Sequence, residues 1–164
     1  MIEPTPTGVL FVCLGNICRS PLARVIFEQR VAERGVADRF VIDSCGTGAW
    51  HVGKGADPRS VQVAMANGLR LDHCARQLDP DEDFERFELL LGMDQSNCTT
   101  MLELGAPREK VRMLRSFDPL LAGMEPHRIE VPDPYYGGPD GFDKVYAMLA
   151  RACEGLLDHL IERR

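Results

Sequence analysis

The sequence is short of basic charge. Nineteen Lys and Arg stand against 25 Asp and Glu, a formal net charge of -6, and lysine occurs only at 54, 110 and 144. A basic surface is what releases counterions from nucleic acid or meets anionic lipid, so neither nucleic acid nor membrane is an expected partner. Any anion must then be held by a local device. Long apolar runs are missing too. Val9 to Leu14 is only of strand length and no basic segment precedes it, so neither a membrane span nor a secretory signal is expected, and the expected location is cytoplasmic. Tight cysteine pairs are absent: the six cysteines at 13, 18, 45, 74, 98 and 153 read as reduced thiols rather than as a disulfide framework. His51, His127 and His159 are isolated in sequence, so no metal site and no cofactor are expected. There is no internal repeat, low-complexity tract or linker, and 164 residues that are 45% hydrophobic can bury a real core, so residues 1–164 are expected to form one domain.

What is present is a strand-loop-helix unit at the start. Gly8-Val-Leu-Phe-Val-Cys13 is a continuous apolar run closed by Gly15-Asn16, the pattern of a strand buried on both faces of a parallel sheet. Ser20-Pro21 reads as a cap followed by proline at the first helical position, with Leu22, Val25, Ile26, Phe27 and Val31 as the stripe and Gly35 at the end. Further strands are predicted at Phe40 to Ser44, Phe87 to Leu91 and Val111 to Leu114. Asp57-Pro58 opens a helix through about Ala66, and Asp94 or Ser96 opens another that ends near Gly105. From Val145 to Ile161 apolar residues keep a three-four spacing, so one face of a long last helix must pack on the sheet. The alternation predicts an α/β fold: a three-layer sandwich with a four-stranded parallel sheet flanked by helices on both faces, and ligands at the C-terminal strand ends. Phe117 to Gly141, rich in Pro and Gly, reads as one long loop of the kind that is often functional.

The loop Cys13-Leu-Gly-Asn-Ile-Cys-Arg19-Ser20 lies between a buried strand and a helix start. Inward-pointing amides of such a loop, with the helix dipole, form an anion site matched to phosphoryl oxygens, and Gly15 and Asn16 tolerate the positive φ it needs. The same field stabilises the thiolate of a cysteine at its base, and that thiolate at Cys13 can attack phosphorus. Arg19 offers a planar fork for two equatorial oxygens, and Ser20 is placed to hydrogen-bond the Cys13 sulfur. A bare Cys-x5-Arg is weak evidence; the strand, glycine and helix start around it make it strong.

Departure of a phenolate or alkoxide at neutral pH needs a proton donor. Asp133-Pro134-Tyr135-Tyr136-Gly137 in the long loop supplies one, since proline after Asp133 restricts that residue to extended geometry, and the two tyrosines can wall a slot for an aromatic ring. Asp57 is most economically the cap of the helix starting at Pro58, with Arg59 pairing locally in its first turn.

Cys13-Leu-Gly-Asn-Ile-Cys-Arg-Ser-Pro21 and Asp133-Pro-Tyr-Tyr-Gly137, at this separation, resemble the low-molecular-weight protein-tyrosine phosphatases. Asp43-Ser44, Gly46 to His51, Ala56 to Arg59, His73 to Gln77 and Met93-Asp94 also look like segments of that family, so the likeness covers nearly the whole chain. The resemblance implies a two-step mechanism without metal: Cys13 takes the phosphoryl group while Asp133 protonates the leaving oxygen, and Asp133 then activates water. It implies catalytic Cys13, Arg19 and Asp133, with Leu14, Gly15, Asn16, Ile17, Cys18 and Ser20 forming the phosphate loop and Trp50, Tyr135 and Tyr136 flanking the substrate ring. Asn16, held by Ser20, Ser44 and His73, would fix the loop's shape. The implied partners are a phosphotyrosine protein and a cognate tyrosine kinase, and the implied state is monomer or weak dimer.

Cys18 reads either as a packing residue or as a partner that traps oxidised Cys13. Three rivals stay open. Arsenate reductases of the same fold need two further redox cysteines, and Cys74 and Cys98 do not look like such a pair. Protein-arginine phosphatases typically carry threonine where this chain has Ile17, whose branched apolar side chain favours phosphotyrosine. An inactive phosphotyrosine-binding module would usually have lost Cys13 or Asp133.

Overall fold

The structure, a computed structural model, describes residues 3–163, so positions 1, 2 and 164 of the expected 1–164 domain lie outside the described residues. Strands β1 (Thr7–Cys13), β2 (Phe40–Gly46), β3 (Leu89–Gly92) and β4 (Val111–Met113) form one sheet in the order β2-β1-β3-β4. All three pairings are parallel. Helices α1 (Arg19–Glu33), α2 (Pro58–Ala66), α3 (Pro80–Arg86), α4 (Gln95–Glu103) and α5 (Gly141–Glu162) make the crossovers and the covering layers.

The alternation of side chains along β1 decides the layers. Val9, Phe11 and Cys13 enter a large core with Leu22, Ile26 and Phe27 of α1 and Val145, Leu149, Ala152 and Leu156 of α5. Leu10 and Val12 enter a smaller core on the opposite face, with Phe84 of α3, Phe87, and Met101 of α4. Both faces of β1 are therefore buried, and the expected three-layer α/β sandwich with a four-stranded parallel sheet is the fold observed. Among the described residues no helix is long and apolar enough to cross a membrane.

Boundaries differ from the sequence reading where local hydrogen bonding overrides composition. β3 begins at Leu89 rather than Phe87, because the Phe87 N–H donates to Asp83 O and closes α3. α3 itself is missing from the sequence reading. Its start repeats the Asp-Pro signal of α2, with Asp79 accepting from the Asp81 N–H and Pro80 at the first position, but seven residues are too few to display a periodic stripe. Ser20 does not cap α1: the helix starts at Arg19, two residues before Pro21, Cys18 occupies the cap position without a side-chain hydrogen bond, and the Ser20 hydroxyl is used elsewhere. Asp57 does cap α2, and Asp94 caps α4 through a reciprocal capping box with Asn97. The expected loop Phe117 to Gly141 loses both end residues, Phe117 to a 3-10 turn Leu114–Phe117 and Gly141 to α5, and residues 118–140 are irregular apart from short 3-10 turns at Pro119–Leu121 and Pro126–Arg128.

Candidate active site

β1 ends at Cys13 beside Gly46, the last residue of β2, and the chain turns through residues 14–18 into α1. A Cβ on Gly46 would sit 2.7 Å from Leu14 O and 3.1 Å from Asn16 N, so the close approach of β2 to the turn requires glycine there. The turn's carbonyls are bonded to the surrounding frame. Cys13 O and Leu14 O accept from the N–H groups of Thr47 and Gly48, Ile17 O accepts from the Asp57 N–H, and Cys18 O accepts from the Ser60 hydroxyl at 3.1 Å. Asn16 O is 2.7 Å from His73 Nε2, which as the neighbour of a carbonyl is the donor. In a planar trans peptide the N–H points opposite to the C=O, so with these carbonyls turned to the frame the following amides face the concave side. That is the nest an anion requires.

Asn16 is the hinge of the turn. With φ at 57° it is the one non-glycine residue in the left-handed region among the described residues, a conformation that costs roughly 1 to 2 kcal/mol for most side chains and is tolerated best by Asn and Asp. Its buried side chain holds the conformation by donating to Ser20 Oγ at 2.8 Å and Ser44 Oγ at 3.0 Å and accepting from the Arg76 N–H at 3.0 Å. Arg76 is itself fixed: its guanidinium bonds Asp43 at 3.1 Å and both carboxylate oxygens of buried Asp83 on α3 at 2.9 and 3.1 Å. The unread helix α3 thus buttresses the loop. Asn16 and Ser20 stand behind the concave face and do not line the cavity. Ser20 Oγ lies 3.0 Å from Cys13 Sγ. Asn16 donates to that hydroxyl, whose own proton can go to the sulfur or to Cys45 O at 3.4 Å.

Arg19 opens α1 and is almost wholly buried. Its Nη1 donates to Asp94 Oδ2 at 2.7 Å and to Val131 O at 3.0 Å, and its Nη2 lies 3.7 Å from Asp133 Oδ2. Burial alone would weaken the guanidinium's hold on its proton. The Cys13 sulfur beside it and the Asp94 hydrogen bond more than offset it, so the pKa sits above its ordinary value and the charge is permanent. Asp94, which also caps α4, reads in the sequence as a candidate helix start and as part of a family-like segment. Its helix-cap signal was legible, whereas its pairing with Arg19, 75 positions away, was not.

Asp133 reaches the site from the long irregular segment. Val131 N–H donates to Met93 O at 2.7 Å and anchors the segment to the end of β3, and the Tyr135 N–H donates to Asp133 Oδ1 at 3.0 Å and fixes the carboxylate's orientation. The Asp133 side chain is 42% exposed. Trp50, 70% exposed, is a rim residue rather than core cover, and its indole lies against Gly48, where a Cβ would sit 2.0 Å from Trp50 Cζ3. Tyr135 and Tyr136 contact each other edge to face at 4.8 Å, and Tyr136 is 92% exposed.

A cavity of about 390 Å³ gathers Cys13, Leu14, Gly15, Ile17, Cys18, Arg19, Trp50, Asp133, Tyr135 and Tyr136. His51, read from sequence as an isolated histidine, lines it as well, its ring close against Gly15, where a Cβ would sit 2.9 Å from His51 Cδ2. Burial, and then the nearby Asp57 carboxylate, push the Cys18 thiol up to about 12, so it is protonated at neutral pH. A sulfur at the floor, a buried permanent cation, inward amides and a carboxyl at the mouth can together bind a tetrahedral dianion, attack it and exchange a proton with its leaving oxygen.

The chain is similar to known proteins along nearly its whole length. The family model for low molecular weight phosphotyrosine protein phosphatase matches residues 8–164. A low molecular weight protein-tyrosine-phosphatase of Streptomyces coelicolor is 46% identical over 153 residues, 91% of this chain and 90% of the relative. A crystal structure of a protein tyrosine phosphatase from Entamoeba histolytica, with Hepes in its active site, aligns with a TM-score of 0.86 at 34% identity, covering 95% of this chain and 97% of that one. A Drosophila arginine phosphatase aligns with a TM-score of 0.82 at 31% identity, covering 93% and 96%. The chain therefore belongs to the low molecular weight phosphotyrosine protein phosphatase family.

Proposed function

We propose that this chain hydrolyses phosphotyrosine in proteins through a cysteinyl-phosphate intermediate, with Cys13 as nucleophile, Arg19 as phosphate clamp and Asp133 as general acid and base. The observation that carries the reading is the convergence of Cys13, Arg19 and Asp133 on one cavity walled by Trp50, Tyr135 and Tyr136. In the first step the Cys13 thiolate attacks phosphorus, an S–P bond forms, the P–O bond to the tyrosine breaks, and Asp133 gives its proton to the departing oxygen. In the second, the Asp133 carboxylate takes a proton from water as that water attacks phosphorus, and inorganic phosphate leaves with the thiolate restored. Arg19, held in plane by Asp94 and Val131 O, and the inward amides of the turn neutralise the equatorial oxygens in both steps. Ser20 steadies the thiolate as leaving group. Leu14, Gly15, Ile17 and Cys18 form the concave floor and the aromatic rim accepts the ring. We further propose one catalytic domain over the whole chain, acting in the cytoplasm as a monomer or weak dimer, with a phosphotyrosine protein, and a tyrosine kinase opposed to it, as partners.

A second reading, hydrolysis of phosphoarginine, is favoured by the likeness to the Drosophila arginine phosphatase. Ile17 argues against it, because a branched apolar side chain on the cavity wall suits an aryl ring better than a guanidinium. The test is turnover in EDTA of phosphotyrosine peptide, phosphoserine peptide and phosphoarginine by the wild type, Cys13→Ser and Asp133→Ala. The expected result is turnover of phosphotyrosine, its loss in Cys13→Ser and a strong slowing in Asp133→Ala. Preference for phosphoarginine would keep the chemistry and reverse the substrate. Binding of phosphopeptide without turnover would make the protein a reader.

A further inference from the structure

Arg59 makes more contacts than a helix-capping pair needs. Its backbone N–H and Nε donate to Asp57 Oδ1 at 2.8 and 3.0 Å, and its Nη2 donates to Asp57 Oδ2 at 2.8 Å, so the guanidinium is locked to the cap of α2. The remaining edge turns away from the helix, and Nη1 donates to Tyr135 O at 3.1 Å. The guanidinium carbon also lies 4.6 Å from the ring centre of Phe142, in the first turn of α5, and 5.3 Å from that of Tyr135, both within reach of a cation-π contact. All three nitrogens and the flat faces of one side chain are thereby used.

The partners at the two ends matter more than their number. α2 is fastened to the phosphate loop at Ile17 O, through the Asp57 N–H, and at Cys18 O, through the Ser60 hydroxyl. Tyr135, on the other side, is the residue whose N–H orients the Asp133 carboxylate. A continuous path therefore runs from Ile17 through Asp57, Arg59 and Tyr135 to Asp133. Between the Val131 anchor and the start of α5, where the segment is irregular, Arg59 supplies a hydrogen bond that ties it to the body of the protein. Lysine could not substitute, since a point charge cannot hold a bidentate carboxylate, a carbonyl and two rings at once.

We propose that Arg59 is a positioning residue for proton transfer: it sets where Asp133 stands relative to the phosphate loop without touching substrate. The proposal rests on the reading of Asp133 as the acid. A misplaced acid harms substrates in proportion to their need for a proton. Loss of Arg59 therefore slows esters of basic leaving groups and spares esters whose leaving group departs unaided, whereas damage to the phosphate loop slows both alike.

The experiment compares kcat/KM, which reports the step in which the leaving group departs, for phenyl phosphate and 2,4-dinitrophenyl phosphate. The proteins are the wild type, Arg59→Ala, Arg59→Lys and Asp133→Ala. Arg59→Ala is expected to lose about tenfold or more on phenyl phosphate, part of the ~10²–10⁴-fold that a general acid supplies, and to stay within about twofold of wild type on the dinitrophenyl ester. Arg59→Lys is expected to lose in the same direction, and it carries the test should the alanine variant not fold. Equal losses on both esters, or none, for the Arg59 variants beside a selective loss in Asp133→Ala would overturn the positioning role and leave the acid assignment standing. If Asp133→Ala also shows no selectivity, the acid assignment falls and the positioning role falls with it.

Discussion

The two loops that meet in the cavity are built on opposite plans. The phosphate loop is over-determined: its carbonyls bond to β2's exit, α2 and His73, its one left-handed residue is buried and pinned by three side-chain hydrogen bonds, and Asp83 of α3 braces it from behind through Arg76. The acid loop is exposed, has no regular structure around Asp133, and is tied down at Val131, Tyr135 and α5. On the proposed mechanism, the difference teaches that binding the dianion and delivering the proton place unlike demands on the fold. A preformed nest binds without reorganising, and its strain must be held by the surrounding fold. A proton donor must meet leaving groups that vary in shape, and a lightly held segment allows that.

The contrast can be broken at its largest predicted effect. Asp133→Ala should lower kcat/KM for phosphotyrosine about 10²–10⁴-fold while the thermal midpoint stays at the wild-type value, because the side chain packs against little. A large fall in stability would show that the acid loop is as structural as the phosphate loop. Asn16→Ala probes the other side. It leaves the partners at Ser44 and Arg76 unbonded in a buried site, and should cost roughly 1 to 3 kcal/mol per stranded group in urea unfolding, with activity falling alongside. Undiminished stability would contradict the claim that Asn16 holds a strained turn.

How much of this was legible in the sequence follows the same division. The strand, glycine, Asn16 and the helix after them are contiguous, so the phosphate loop could be read from local pattern alone, and the stripe of α5 fixed its face. Asp94, His51 and the Arg76-Asp83 pair escaped because their roles exist only across the fold: Asp94 reads as a cap, and Asp83 lies on α3, which is too short to show in the pattern. Arg59 was read as a local partner of Asp57, which it is, but its outer edge meets Tyr135, 76 positions on. Ser20 was misread as a cap because a Ser-Pro pair signals one, and the buried sulfur beside it competes for the hydroxyl.

Two smaller effects sharpen the comparison. Gly48→Ala places a Cβ where the Trp50 indole lies. The exposed ring can swing away, so stability should hold while KM for phosphotyrosine peptide rises about two- to tenfold, the worth of one aromatic contact; an unchanged KM would remove Trp50 from the substrate wall. The smallest effect is one of pH. The Arg59 side-chain hydrogen bond, opposed by burial and helped by the Arg59 N–H, holds the Asp57 carboxyl below its ordinary range. The unfolded chain binds that proton more readily. The stability it contributes is therefore complete above about pH 4 and is lost as pH falls through the lower folded value. Urea titrations across this range should show Asp57→Asn with a shallower acid fall than the wild type, and parallel curves would contradict the pairing.

The central claim is that phosphate passes through the sulfur of Cys13. The direct measurement is mass spectrometry of the wild-type protein acid-quenched during turnover of phosphotyrosine peptide, with fragmentation to locate any phosphoryl group. The account predicts phosphate on Cys13 during turnover and its absence once substrate is exhausted. Phosphate on another residue, or steady turnover with Cys13 never labelled, would contradict it.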